Sequence, residues 1–284
     1  MKLVSFLHHQ QRRYGVITGQ GILDLTERVV GPYGDLKQLL AIGNGVPEQV
    51  GVWLSQGGTM VAPEDVQFLP VIDDPGKIIC VGHNYEAHRI ETQHEVTEHP
   101  TLFLRSASSQ VGHNAPMLCP PESEMFDFEG EIAVIIGTAG RRIPRDQALT
   151  HIAGFACYND GSVRDWQNHT PQWTAGKNFD ATGAFGPWML LYDGSGTLPV
   201  MTLITRLNGE EVQHTTTEYL IRGFDELIAY ISTFTTLEPG DVIVTGTPGG
   251  IGARRTPPLF MRPGDIVEVD IDCIGVLRNT IRPG

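Results

Sequence analysis

Three observations predict a β-rich α+β fold. Short apolar runs rich in Val and Ile recur along the chain with turns between them, and only one segment is both long and helical in its spacing. Gly (33) and Pro (19) are slightly high for 284 residues, which favours short strands and many turns. A chain of this length buries a sizeable core, as one large domain or as one domain with a small appendage.

Residues 2–26 read as a small β-meander, KLVSFL, RYGVIT and ILDL, with a Gly-Gln-Gly turn before the third strand. Asp35 is placed to cap a helix over LKQLLAI that Gly43 stops. VPEQVGVWLSQ (46–56) has helical spacing, with Val50, Val52, Trp53 and Leu54 on or near one side. VQFLPVI (66–72) reads as the strand that closes this unit. Asp73-Asp74-Pro75-Gly76 is a turn or linker and sets the expected boundary between a small domain, 1–72, and a larger one, 77–284.

KIICVG (77–82) and TLFLR (101–105) read as strands. Between them, 84–100 is polar and histidine-rich, a short helix running into an exposed loop. With no continuous apolar face, it is expected to act as a lid that orders over bound ligand. FDFEGEIAVIIG (126–137) begins acidic and ends as a buried strand. A helix is expected from about Asp146 to Gly154, then a strand FACYND, a helical turn SVRDWQ and a Gly-rich loop over 169–188. Later strands are MLLYD, VMTLITRLNGEEVQ with a hairpin Asn-Gly, DVIVTGT, DIVEVDI and GVLRNTI. The long helix is expected at about 217–235.

The formal charge of −13 argues against nucleic acid or an anionic membrane as partner, and an acidic substrate would need a local basic pocket. No run approaches a membrane span, and MKLVSFLHHQQRR lacks the apolar stretch of a signal peptide. Cys80, Cys119, Cys157 and Cys273 are widely spaced and form no CxxC pair. They read as reduced, mostly buried thiols of a cytoplasmic protein.

The chemistry concentrates in a few places. Asp127, Glu129 and Glu131 alternate, so one continuous strand would put three carboxylates on one face, where they repel unless a cation lies between them. Asp160 ends an apolar strand, where a charge is out of place unless it projects into a site. Glu129, Glu131 and Asp160 together offer three oxygens to Mg²⁺, Mn²⁺ or Ca²⁺, ahead of zinc because the cluster holds no His or Cys. A solvated strand edge is the bland alternative. Arg164 and Gln167 follow Asp160 on the same side of a helical turn, and Lys177 lies in the Gly-rich loop. His88 and Glu91 form H-x-x-E, a base and an orienting carboxylate or an ordinary solvated pair. His83, His88, His94 and His99 fit no zinc spacing well. VTGTPGGIG lacks the ending of a P-loop and reads as a strand-end turn whose Thr247 hydroxyl and amides face a pocket.

KIICVGHNYEAH, FDFEGEIAVIIG, YNDGSVRDWQ, GKNFD, GPW, LNGEEV, LEPGDVIVTGTPGGIG and RPGDIVEVDIDCIGVL occur in this order from about Lys77 to Ile281. Together they resemble the fumarylacetoacetate hydrolase family, and residues 1–72 resemble the small N-terminal domain of many bacterial members. The resemblance implies a rolled, β-sandwich-like sheet in the C-terminal domain and a homodimer. It implies metal ligands at Glu129, Glu131 and Asp160 for Mg²⁺ or Mn²⁺, with Ca²⁺ an occupant in crystals. The catalytic set it implies is His88, Glu91 and Lys177, with Arg164, Gln167 and Thr247 on the substrate. Many relatives carry Lys at Arg105, which would either grip a substrate carboxylate or keep a structural charge.

The expected reaction is hydrolysis of a C–C bond in a β-diketo acid of the acylpyruvate type, such as maleylpyruvate or fumarylpyruvate from aromatic breakdown. Decarboxylation or keto–enol isomerisation of a 2-oxo dicarboxylate is the alternative on the same residues. A non-catalytic Ca²⁺-binding scaffold would explain the carboxylates but not the H-x-x-E pair.

Overall fold

The computed structural model describes residues 1–26, 34–95 and 97–284. Its larger sheet runs in the spatial order Met60–Val61, Gly21–Asp24, Gln11–Thr18, Lys2–His8, Gly183–Leu191, Ile152–Asn159, Gly130–Ile136, Val242–Val244, Ile78–Gly82 and Thr101–Arg105. A smaller sheet holds Glu210–Thr216, Thr202–Leu207, Ile266–Ile271, Gly275–Pro283 and Met117–Cys119. The fold is mixed α+β and rich in strand, and neither sheet closes on itself.

The strand Gly130–Ile136 shows how the layers form. Successive side chains point to opposite faces. Ile132, Val134 and Ile136 enter a core with Leu203, Val267, Val269 and Leu277 of the smaller sheet. Ala133 and Ile135 enter a second core with Leu36, Leu39, Leu40, Val46 and Val50, which come from the helices Leu36–Leu40 and Val46–Gln56. A strand covered on both faces has no polar side, which is why this one reads as an unbroken apolar run from Ile132 to Ile136, past Glu131 at its start.

The meander at 2–24 and the helix Val46–Gln56 form as expected, and Asp35 caps Leu36–Leu40 by accepting from the Gln38 amide at 2.7 Å, although that helix ends at Leu40 and Gly43 opens a 3-10 turn rather than stopping it. Lys2–His8 pairs with Gly183–Leu191, so one sheet runs through both parts of the chain. The boundary at 73–76 therefore stands as a proposal, and the pairing across it argues that the two parts fold together.

Several local expectations differ from the structure. The acidic strand is broken. Phe126–Asp127 pairs with Ser162–Val163 in a separate two-stranded sheet, and the main strand begins only at Gly130. The 146–154 helix is a 3-10 segment, Arg145–His151, and its strand begins at Ile152. The long helix begins at Phe224 with Gly223 at its N-cap, because Leu220 is drawn into a bridge with Tyr85. The 169–188 segment holds the short helix Thr174–Lys177 and most of Gly183–Leu191, a strand whose end is legible in MLLYD and whose first part is concealed by its Gly and Pro residues. Of VQFLPVI, only Gln67–Phe68 is strand.

Four neighbouring strands end on one side of the large sheet. Gly130 opposes Asn159, Ala133 opposes Val244, and Val244 lies beside Cys80. Asp160, Glu129, Gly246 and His83 therefore leave the sheet side by side.

Candidate active site

The floor of the site is the carboxylate cluster. Glu129, Glu131 and Asp160 are all buried, and one oxygen of each lies within 4.8 Å of the others. Lys177 Nζ donates to Glu129 Oε2 and to Asp160 Oδ2, each at 2.6 Å. Arg164 Nη2 lies 2.7 Å from Glu129 Oε1, while its Nε donates to Asp127 Oδ2 at 2.8 Å and its Nη1 to Gln167 Oε1 at 2.9 Å. Arg105 is behind the floor, where its guanidinium donates to Asp160 Oδ1, to the Gly161 carbonyl and to the Thr182 hydroxyl.

These contacts set the charges. Burial alone would raise the Glu129 carboxyl, but Arg164 and Lys177 outweigh it and hold the group far below the ordinary range. Burial alone would lower the Lys177 ammonium, and Asp160 and Glu129 outweigh that, so it stays charged. Glu131 is the exception. Burial, then Asp160 and Glu129, push its carboxyl well above the ordinary value.

The strand-end turn after Val244 directs its amides at the acidic groups. Gly246 N donates to Glu131 Oε2, Gly250 N to Glu91, and Gly252 N and Ala253 N to the two oxygens of Asp127. Gly246 has φ +104°, a backbone that side chains rarely adopt. At Gly252 a Cβ would collide with the Leu259 carbonyl. Thr247 donates its hydroxyl to the Gly130 carbonyl at 3.0 Å and accepts from Gln213 Nε2 at 2.9 Å. Asp127, on the broken strand, is thus an anchor for this turn and for Arg164, and it does not join the cluster of three.

The roof is the helix Glu86–Glu91 and the residues on either side of it. His88 is buried and its Nδ1 lies 3.3 Å from Glu91 Oε2. Glu91 in turn accepts from Gly250 N at 3.0 Å. Asn84 ties the start of this segment down, donating to the carbonyls of Thr245 at 2.8 Å and Arg222 at 3.1 Å and accepting from the Arg222 amide at 2.9 Å. His83, at φ +56°, stacks on His94 with ring centroids 3.8 Å apart and lies edge-on to Trp173.

Floor and roof enclose a cavity of about 290 Å³. Glu129, Glu131, Asp160 and Lys177 line it from below, and His88, Arg164, Gln167 and Thr247 complete the sequence-predicted set around it. Glu91 and Arg105 do not line it. Glu91 stands behind His88, and Arg105 stands behind Asp160, so the structural charge is the alternative that the geometry favours for Arg105. Neither Trp173 nor Arg254, both of which line the cavity, stands out in the sequence. No local pattern marks them, since each sits in a turn-rich stretch and is brought in by the fold.

The donor set fits a hard divalent cation. Four buried carboxylates (Asp127, Glu129, Glu131, Asp160) face three buried cations (Arg105, Arg164, Lys177). The missing positive charge falls at Glu131, and oxygen ligands suit Mg²⁺ or Mn²⁺.

Residues 77–282 match the fumarylacetoacetate (FAA) hydrolase C-terminal family. The human protein "Oxaloacetate tautomerase FAHD2A, mitochondrial" is 40% identical over 76% of this chain and 70% of its own. Among solved structures, the fumarylacetoacetate hydrolase from psychrophilic Exiguobacterium antarcticum covers all of both chains at 31% identity and a TM-score of 0.83. The maleylpyruvate hydrolase from Sphingobium sp. SYK-6, in complex with manganese (II) ion and pyruvate, also covers all of both chains, at 26% identity and a TM-score of 0.83. Among the described residues no helix is long and apolar enough to cross a membrane. With that family match spanning most of its length and this buried acidic triad at its centre, the chain belongs to the fumarylacetoacetate hydrolase family of enzymes, which act on small molecules.

Proposed function

We propose that the protein is a keto–enol tautomerase of a 2-oxo dicarboxylate of the oxaloacetate type, working with Mg²⁺ or Mn²⁺ held by Glu129, Glu131 and Asp160. One observation carries the reading: of the imidazoles lining the cavity of the buried carboxylate triad, His83, His88 and His94, it is His88 that is braced on one nitrogen by Glu91. That is the arrangement needed to move one proton beside a chelated acid. The 40% identity to an oxaloacetate tautomerase supports the choice of substrate.

When bound, the ion would polarise the 2-oxo acid and so acidify its C3 hydrogens. His88, with Nδ1 engaged by Glu91, presents its other ring nitrogen to take a proton from C3 or return it there. The Lys177 ammonium is charged and buried, so it stabilises the negative charge that develops on the 2-oxygen as the C3 proton leaves. Gln167 and Thr247 orient the acid, and the turn amides keep Glu131 and Glu91 in place. A homodimer in the cytoplasm belongs to the same proposal. The three buried, unpaired cysteines Cys80, Cys119 and Cys157 suit a reducing compartment.

Hydrolysis of the C–C bond of an acylpyruvate such as maleylpyruvate or fumarylpyruvate, in aromatic-compound catabolism, is the second reading. The Glu91-braced His88 favours it, because the same base can deprotonate water for attack on the distal carbonyl, and so does the likeness to a maleylpyruvate hydrolase.

One assay separates the readings. With Mg²⁺ or Mn²⁺ present, loss of the enol absorbance is followed for oxaloacetate and for acylpyruvates while pyruvate is measured in parallel. A tautomerase relaxes the enol of oxaloacetate without forming pyruvate. A hydrolase releases pyruvate from the acylpyruvate. No acceleration of oxaloacetate tautomerisation over buffer with the same metal would refute the first reading.

A further inference from the structure

We infer that Arg254 receives the far carboxylate of the substrate, so that the site selects 2-oxo diacids over 2-oxo monoacids. The inference deepens the tautomerase proposal and rests on its reading of the cavity as a 2-oxo acid site.

A dicarboxylate brings two anionic groups to a chain of net charge −13. Its 2-oxo acid end has a place at the floor, where the triad and its ion would receive it. Its far end needs a cation of its own, and the buried cations of the site are already committed. Arg105 is held by Asp160, Arg164 by Asp127 and Glu129, and Lys177 by Glu129 and Asp160. Of the arginines and lysines that line the cavity, Arg164 and Lys177 are among these three, and the remaining one among the described residues is Arg254.

Arg254 has no hydrogen bond or ion pair from its guanidinium among the described residues. Its neighbour Arg255 shows the contrast. Arg255 donates to the carbonyls of Gly250 and Val212 and so staples the turn. Arg254 ends the 3-10 turn Gly252–Arg254, whose first two amides are bonded to Asp127. Its turn is therefore anchored on Asp127, while the residue lines the cavity and is itself exposed. A free, solvated guanidinium is not strained, and it can take a carboxylate through two parallel N–H donors. A monoacid offers it nothing.

Binding tests this with Mn²⁺-loaded enzyme and two probes of equal chain length, 2-oxoglutarate and 2-oxovalerate, which differ in the far carboxylate. Calorimetry on the parent should show about tenfold or greater preference for the diacid, the size expected of a charge-assisted contact. Arg254→Gln should weaken 2-oxoglutarate alone and bring the two acids to within about twofold, and Arg254→Lys should restore part of the preference. An Arg254→Gln enzyme that keeps the parent preference, or that loses both acids equally, would overturn the inference. Arg254-dependent diacid binding without tautomerase turnover would remove the proposed reaction and leave this inference standing. Binding of neither acid by the parent would remove the reading of the cavity itself.

Discussion

The floor and the roof of the cavity are built by opposite means. The floor stands on strand ends of the central sheet, and each of its carboxylates is buried and held by a buried cation or a backbone amide. The roof is one six-residue helix with Ile90 61% exposed, fixed by Asn84 at its start and by the Glu91–Gly250 bond near its end. Charge is concentrated below, and the proposed base, His88, with its bracing carboxylate Glu91, is carried above on that short helix. The difference teaches where to expect rigidity and where to expect response: an ion site needs fixed oxygens, whereas a base must meet and release a changing substrate.

Removing the ion is the harshest way to test the floor. Chelation with EDTA should abolish turnover, and Mg²⁺ or Mn²⁺ should restore it. Full activity in a rigorously metal-free sample would contradict the account. A change in the roof should cost less. His88→Ala is expected to lower turnover by about 10²–10⁴-fold, the range of a general-base contribution. Glu91→Gln should follow the same trend more weakly, because Glu91 acts by holding His88. Turnover of His88→Ala within a few-fold of the parent would remove His88 as the base.

The contrast should also appear without any mutation. Hydrogen exchange at residues 86–95 should slow when oxalate is added to the Mn²⁺-loaded enzyme, while the strand 130–136 stays protected throughout. Equal protection of 86–95 with and without oxalate would make the roof as rigid as the floor.

The smallest effect concerns pH. Burial, then the neighbouring His94 and His88, lower the His83 imidazole from 6.5 to about 4. Glu129 acts against this and Lys177 with it, more weakly. The folded state therefore binds this proton less readily than the unfolded chain. The resulting stability is complete above about pH 6.5 and is lost as pH falls toward 4. His83→Asn, which tolerates the left-handed backbone, should lose less stability than the parent in urea titrations across that window. An identical loss in both proteins would remove His83 from the pH response.

Much of the floor is legible in the sequence because its chemistry is local. A carboxylate at the end of an apolar strand, as at Asp160, is conspicuous wherever the strand lies, and Glu129 and Glu131 announce their repulsion by spacing alone. Asp127 misleads for the same reason. Its spacing matches theirs, but the strand breaks at Phe128–Glu129 and turns it toward the amides of Gly252 and Ala253. The first part of the strand at 183–191 is hidden by its own Gly and Pro, with only its end legible in MLLYD, and the helix start at Phe224 depends on Leu220 bridging to Tyr85, which no local pattern encodes. Arg105 reads as a substrate grip as easily as a structural charge until the fold places it behind Asp160. The distinction between Arg254 and Arg255 likewise exists only once the turn has formed.

Manganese titration of three proteins, the parent, Glu131→Gln and His88→Ala, tests the division into floor and roof most directly. One ion per chain is expected for the parent and for His88→Ala, with nearly the same affinity, and no comparable binding by Glu131→Gln. Loss of the ion from His88→Ala, or its retention at full affinity by a folded Glu131→Gln, would contradict it.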